Sequence, residues 1–430
     1  MSSKKQGELI LAENTENLNS VSDDVADVSA EEANDTAAEE AVGAEVSAED
    51  RKKRRLKKNS IALISVFTAC LLLNIIARLS TPFADFYLDY IFPIWNNTFG
   101  RVLSWLPFSF GEILIIIAVA GLPISLIVYI VLMCIKKGRR KRVSHIYFKT
   151  LAWCIAYVMV TETLNCFILY QCSTFASKNG ISENTYTAEE LLNVYEKLIE
   201  QTNEASAQVQ RDDEGRFILT ADLDKTAAEA MKNISGDYPV LKGFYTKPKP
   251  VINSYFMSQQ YLMGIYFPFT LEANYNKLMY DSNKPETVVH ELAHTQGIIL
   301  EDEANFVAFL ACSMSDNADY RYCGYLSALK YVRSKAFDAV ADKEEHLRER
   351  LDMLEERIDY GIWVDMYENQ EYWRSVQEEK KTIIPASTVN EVSDAAMNAS
   401  LKFNGVADGK KSYGRMVDLV LNYYYDKGLV

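Results

Sequence analysis

Histidine is scarce in this chain, with four among 430 residues. Cysteine numbers seven, at positions 70, 134, 154, 166, 172, 312 and 323, with no Cys-x-x-Cys pair and no Cys/His group at zinc-finger spacing. That argues against a dithiol redox motif and a structural zinc ribbon. Four of the cysteines fall in apolar stretches, where a thiol acts as a small hydrophobe. A Cys312–Cys323 bridge is compatible with the sequence, but spacing does not assign it. No Gly-rich phosphate loop of the Walker type and no basic groove pattern is present, so nucleotide and nucleic-acid binding have no support. No internal repeat is apparent.

Residues 1–50 lack proline and aromatic residues altogether, and carry fourteen acidic residues against two lysines. Of the formal net charge of −14, −12 therefore sits in this stretch, and the other 380 residues are close to neutral. Such a composition cannot bury enough apolar surface to fold, and the segment reads as a disordered acidic tail.

A basic run at 51–58 closes the tail, and three long apolar segments follow, at 61–77, 113–135 and 151–169. Each approaches the ~20 residues that a helix needs to cross hydrocarbon. The third carries Glu162 and Asn165, and a charge at mid-depth usually faces protein or a polar cavity. The first does not read as a cleavable signal, since a long acidic tail precedes it. Lys and Arg concentrate before the first segment and at 136–142 after the second, which places the N-terminus and the 136–148 loop in the cytoplasm and the C-terminal part outside. The predicted layout is a tail at 1–58, a membrane domain at 59–171 with spans near 60–78, 112–135 and 150–170, and a domain at 172–430 that is mainly α with a small sheet. Between the first two spans, residues 80–110 hold ten aromatic residues, the pattern of a helix pair in the membrane interface or of packing against the C-terminal domain. Asn96-Asn97-Thr98 forms a glycosylation sequon.

The C-terminal domain reads as helical. Thr187 is a natural N-cap with Glu189 and Glu190 behind it. Residues 341–358 have leucines among charges, as in a solvated amphipathic helix, and His346 there, like His145 in the cytoplasmic loop, reads as a surface residue. Lys247-Pro248-Lys249-Pro250 breaks helix, and 251–270 suits an extended segment ending near Pro268. Toward the end, 404–406 and 412–415 punctuate a last helix at 416–424.

Two of the four histidines share one motif, His290-Glu291-Leu292-Ala293-His294. Asp281, Ser282 and Asn283 suit a helix start, Pro285 and Glu286 a first turn, and Gly297 a stop, which predicts a helix of about three turns. Histidines four apart share a helix face and can take two corners of a zinc tetrahedron. Glu291 lies roughly 100° around from His290. From there it can take a proton from water activated by the metal and pass it to a leaving amine. Val288 and Leu292 point to the core.

A catalytic zinc needs a third protein ligand and an open position. Glu301-Asp302-Glu303-Ala304-Asn305-Phe306 follows at once and reads as a second helix, folded back by a turn at 297–300. HExxH followed by such a helix resembles the gluzincin metallopeptidases. The resemblance implies a zincin-like domain, one Zn2+ per chain, Glu301 as the third ligand and Asn305 supporting a ligand from behind. Only six residues separate His294 from Glu301, shorter than in most gluzincins, and Glu303 is the rival ligand. The combination of three spans, Pro268-Phe269-Thr270-x-Glu272-Ala273-Asn274, the HELAH and EDEAN motifs, and Arg321-Tyr322-Cys323-Gly324-Tyr325 is also similar to an uncharacterised family of bacterial three-pass membrane proteins, which lends architecture and little function.

Glu272 and Asn274 are candidates for binding substrate backbone or orienting a ligand histidine, or for capping a helix. Tyr322 and Tyr325 are candidates for stabilising an oxyanion, with packing the plainer role for them and for Tyr320. The expected function is a membrane-anchored zinc metallopeptidase with Glu291 as general base, acting on peptides or envelope proteins near the bilayer. The rival expectations are a non-catalytic metal-binding receptor or scaffold, for which Glu291 has no use, and a structural membrane protein whose motif is coincidental.

Overall fold

The structure is a computed structural model that describes residues 54, 57–341, 343, 345–378, 386–404 and 415–430. The acidic tail, most of the basic run and the turn residues at 405–414 lie outside the described residues. The chain divides into two units, Met1–Phe67 and Thr68–Val430. In the first, the described residues are helical, and this helix, α1, runs over Lys57–Leu79.

Two more long apolar helices belong to the second unit, α2 at Phe110–Ile135 and α3 along Lys137–Gln171. All three are long and apolar enough to cross a membrane. Ser109 caps α2 by accepting the Glu112 N–H. The helices α2 and α3 run antiparallel, joined by Tyr129–Ser144 and Ser125–Tyr147 hydroxyl contacts at 3.0 and 3.5 Å.

The segment between α1 and α2 forms short helical turns from Thr81 to Ser104. Part of it packs inward and part stays on the surface. Tyr87, Leu88 and Phe92 are buried, while Phe86, Tyr90, Trp95 and Trp105 stay exposed. Asn96, the sequon residue, is buried, and its amide donates to the carbonyls of Phe244 and Thr295 at 2.9 and 3.0 Å. The side chain is thereby committed to packing rather than to a glycan.

The rest is mainly helical around one small sheet. Its helices are α4 (Ala188–Ser206), α5 (Leu223–Ile234), α6 (Ser254–Gln259), α7 (Lys284–Thr295), α8 (Glu301–Ser313), α9 (Ala318–Val340), α10 (Glu345–Glu355), α11 (Tyr360–Glu378), α12 (Ala386–Phe403) and α13 (Arg415–Asp426). Thr187 and Glu190 make a reciprocal capping box at α4. Leu347, Leu351 and Leu354 form the buried stripe of α10, on which His346 is exposed. Strands β1 (Lys249–Pro250), β2 (Gly264–Phe267) and β3 (Glu272–Tyr275) form a sheet in the order β1-β3-β2, with β1 parallel and β2 antiparallel to β3. The expected extended segment thus holds only near its end, because Ser254–Gln259 is a helical turn between Pro250 and β2.

The core lies where α7 and α8 pack on each other, on α9 and on β3, with α4, α5 and α13 outside them. Leu192, Leu198, Val288, Leu292, Phe306 and Phe309 are buried at its centre, each stabilising the fold by roughly 1.5–3 kcal/mol. Both α7 and α8 are apolar or buried on all sides, so they are central rather than surface helices. Cys312 and Cys323 are buried free thiols. Arg211, Phe217 N–H, Tyr280 and Tyr322 all donate to the fully buried carboxylate of Asp365.

Candidate metal centre

Lys284–Thr295 becomes helical after a 3-10 turn at Asp281–Asn283, with Pro285 in its first turn, where a missing N–H costs nothing. Its end has a definite geometry. Gly297 sits at φ +89°, Ile298 N–H donates to Ala293 O at 3.2 Å, and Gly297 N–H donates to His294 O at 3.0 Å. This paired C-terminal turn favours glycine, because other residues are strained at that φ. It brings the Ile298 carbonyl to 2.7 Å from His294 Nδ1. A carbonyl can only accept, so Nδ1 carries the proton and the Nε2 lone pair is left for a metal.

The same turn starts α8 at Glu301 and lays its first residue against both imidazoles. His290 Nε2 lies 3.2 Å and His294 Nε2 3.8 Å from the Glu301 carboxylate oxygens. One ligand atom from each of the three lies within 4.8 Å of the others. The imidazole rings are 4.6 Å apart and nearly perpendicular. Glu303, the rival, points elsewhere. Two residues on along a helix is the opposite side, and its carboxylate accepts the Ala176 N–H at 3.1 Å.

Glu291 is buried beside the histidines, and its Oε2 has no hydrogen-bond partner among the described residues. Burial pushes its carboxyl up to about 8. Burial opposes charge on His290 too, but the Glu301 hydrogen bond and the carboxylates of Glu301, Glu291 and Glu286 outweigh it and raise His290 to about 9. His294, desolvated and beside His290, falls to about 4. Three carboxylates and two imidazoles lie close together, and the protons that His290 and Glu291 retain are the ones a dication would displace. The Asn305 amide nitrogen is likewise buried without a partner, one turn along α8 from Glu301. Two imidazole nitrogens and one carboxylate are a donor set of the kind that holds a zinc ion.

These groups line a cavity of about 690 Å3. Its other walls are β2, the 260–263 loop, Tyr331 of α9 and Cys166 and Tyr170 of α3. Gly264 is glycine for a reason of space, since a Cβ there would lie 2.2 Å from Glu291 Oε1 and 2.7 Å from its Cγ. Tyr331 is held protonated by burial, which raises its phenol, and so keeps a donor at the cavity wall. Glu286, one turn before His290, lines both this cavity and a neighbouring one of about 310 Å3 that holds Lys330.

Four candidates lie outside this cavity. Glu272 forms a buried ion pair with Lys249 at 2.5 Å and accepts the N–H groups of Phe110 and Gly111. It caps α2, the helix-capping alternative. Asn274 spends its amide on the Ile265 and Glu272 carbonyls within the sheet. Tyr322 donates to Asp365, and Tyr325 packs against Phe309. Of the residues that sequence reasoning missed, Glu286 carried a usable signal, four positions before His290 on the same helix face. Gly264, Tyr266 and Tyr331 carried none, because their distance from the motif closes only in three dimensions.

Residues 87–421 match the profile of a family described as Protein of unknown function (DUF3810). The chain belongs to that family. No curated protein and no solved structure matches it.

Proposed function

We propose that this member of the DUF3810 family is a membrane-anchored zinc peptidase with a zincin-like C-terminal domain, held outside the cytoplasm by three spans. The observation that carries the reading is the convergence of His290, His294 and Glu301 within 4.8 Å, with the unpartnered carboxylate of Glu291 beside them. A bound zinc ion would supply Lewis acidity and a water acidified toward neutrality. His294 is preoriented for it by the Ile298 carbonyl. Glu291, buried beside these ligands with an unpartnered carboxylate oxygen, would take a proton from that water and return it to a leaving amine. Tyr331 on the cavity wall offers a donor for a developing oxyanion.

The sheet supports a peptide as substrate. In an antiparallel pair, hydrogen-bonded and non-bonded positions alternate. Asn276 N–H donates to Met263 O at 2.7 Å. By the register, Ile265 and Phe267 are then bonded to β3, and the main chains of Gly264 and Tyr266 face the other way. No strand pairs with that side among the described residues. This free edge lines the cavity, where an extended peptide can pair with it.

The test is zinc content and peptide cleavage on the purified full chain, beside Glu291→Gln and a His290→Ala/His294→Ala double variant. One zinc per chain, lost in the double variant, with cleavage lost in Glu291→Gln, is the expected result. Zinc bound without cleavage of any peptide would leave a metal-binding scaffold, and no zinc would end the reading.

A further inference from the structure

The metal cavity shares a wall with a membrane helix, and its height above the membrane can be worked out. The exposed apolar side chains of α2 run from Ile115 to Ile135. That is about 21 residues, or roughly 31 Å at 1.5 Å each, the thickness of a bilayer's hydrocarbon. The basic run at 136–142 begins at one end, so the other boundary lies at Ile115. The Tyr129–Ser144 contact sets α2 and α3 side by side with position numbers summing to 273, so Ile115 is level with Val158. Glu162 and Asn165 then lie beyond the hydrocarbon, and the cost of a charge in mid-bilayer does not arise. Cys166, on the cavity wall, is eight residues past the boundary, roughly 12 Å.

The β2–β3 turn is fastened between that boundary and about 10 Å beyond it, from both helices. Tyr157 donates to Phe269 O at 2.5 Å and Asn165 to Pro268 O at 2.7 Å. Glu272, at the start of β3, grips the first N–H groups of α2. Phe267 and Phe269 stack there with ring centres 5.2 Å apart, which packs the turn together. From this point β2 climbs away from the membrane. Tyr266 lies against the His294 ring at 5.8 Å, and Gly264 reaches Glu291. The free edge of β2 therefore starts at the membrane surface and ends at the proposed catalytic base, about 10 Å further on at 3.3 Å per residue.

We infer that the substrates are polypeptides anchored in the same membrane, bound as an added strand where they leave the bilayer and cut about five to eight residues from the end of their span. This rests on the peptidase reading and specifies its substrate. From the hydrocarbon boundary to Gly264 is roughly 18 Å, about 8 Å up to Phe110, whose N–H Glu272 holds level with Phe267, and about 10 Å along β2, which five or six extended residues cover. A chain lying on the edge of β2 continues at its lower end into the headgroup layer. A membrane-anchored chain arrives already on that path, whereas a soluble one must bend away from lipid at Phe267. Anchoring in the same bilayer also raises the effective concentration of the segment.

The experiment uses the full chain in proteoliposomes with single-span test proteins that carry a randomised 30-residue polar flank. With the zinc-loaded wild type, cut positions are mapped by mass spectrometry. In the Glu291→Gln variant, a photoreactive residue at flank position 4, 7 or 20 is crosslinked and its attachment mapped. Cuts clustered at positions five to eight, with crosslinks to β2 from positions 4 and 7 roughly tenfold above those from position 20 and from the same flank as a soluble peptide, are expected. Cuts spread evenly along the flank, with equal crosslinking, overturn the inference and leave the peptidase reading standing. Near-flank crosslinking without any cutting supports the docking path and removes the peptidase reading. Absence of both removes both.

Discussion

Replacing Gly264 by alanine tests the site at a position that touches neither metal nor ligand. The added Cβ would lie 2.2 Å from Glu291 Oε1 and 2.7 Å from Cδ and Cγ, where ordinary contact needs about 3.4 Å or more. The carboxylate must therefore retreat by about 1.2 Å, the difference of those two distances. The fold absorbs this easily. Overpacking a buried site costs about 1–3 kcal/mol, and exchanging glycine for alanine within a strand returns about 0.5–1 kcal/mol. Catalysis does not absorb it, because a displacement near 1 Å at a proton-transfer group costs on the order of 10²-fold, or about 2.7 kcal/mol of barrier. The assay compares kcat/KM on a cleaved peptide, zinc per chain and Tm for wild type and Gly264→Ala. The expected pattern is cleavage down about 100-fold with zinc retained and Tm shifted by a few degrees. Wild-type turnover in the variant would refute the placement of Glu291 under β2, and loss of zinc would show that Gly264 supports the ligands instead.

Zinc binding at pH 7 should release one to two protons, because His290 and Glu291, raised to about 9 and about 8, must give them up. Calorimetry in buffers of different ionisation enthalpy reads the number, and zero contradicts the site. Apparent zinc affinity should accordingly climb with pH up to about 9. Glu301→Gln should lose zinc while Glu303→Gln keeps it, measured by elemental analysis. Glu303→Gln should also stabilise the protein at alkaline pH. Burial lifts the Glu303 carboxyl to about 7, so the folded state holds its proton more tightly and stability declines as pH rises from about 4.5 through 7, by up to about 3 kcal/mol. A melting series at pH 5 and pH 8 shows whether the gain appears only at the higher pH. Lys249→Met should destabilise by about 3–5 kcal/mol, since it strands the buried Glu272 carboxylate, and Lys249→Met/Glu272→Gln should recover part of that in the same melts. Tyr331→Phe should lower kcat about 10²-fold with KM little changed if its phenol serves the oxyanion; an unchanged kcat removes it from that role.

The metal helix was legible in the sequence because its signals are local. Proline at its start, glycine at its end and histidines four apart act within a few residues of one another, and the structure places the helix within those limits. The three apolar helices were legible for the same reason, since length and composition suffice. The choice between Glu301 and Glu303 was not a local matter. Both lie in the first turn of α8, and which one meets the imidazoles depends on the rotation of α8 about its axis, set by the turn at Gly297 and by the packing of Phe306 and Phe309 in the core. Tyr322 and Tyr325 were candidates on nearness along the chain, with packing the plainer role; they pack outside the cavity, and Tyr331 of the same helix lines it. Glu272 read equally as a substrate or ligand-orienting residue and as a helix cap; only the fold shows that it caps a long apolar helix that begins 162 positions earlier. What the sequence determined by itself was the chemistry available and the elements that bear it, because periodicity, caps and composition act at short range. Tertiary structure alone decided which residues share the cavity and which apolar helix walls it, because helix rotation, sheet order and buried ion pairs join parts of the chain that no spacing connects.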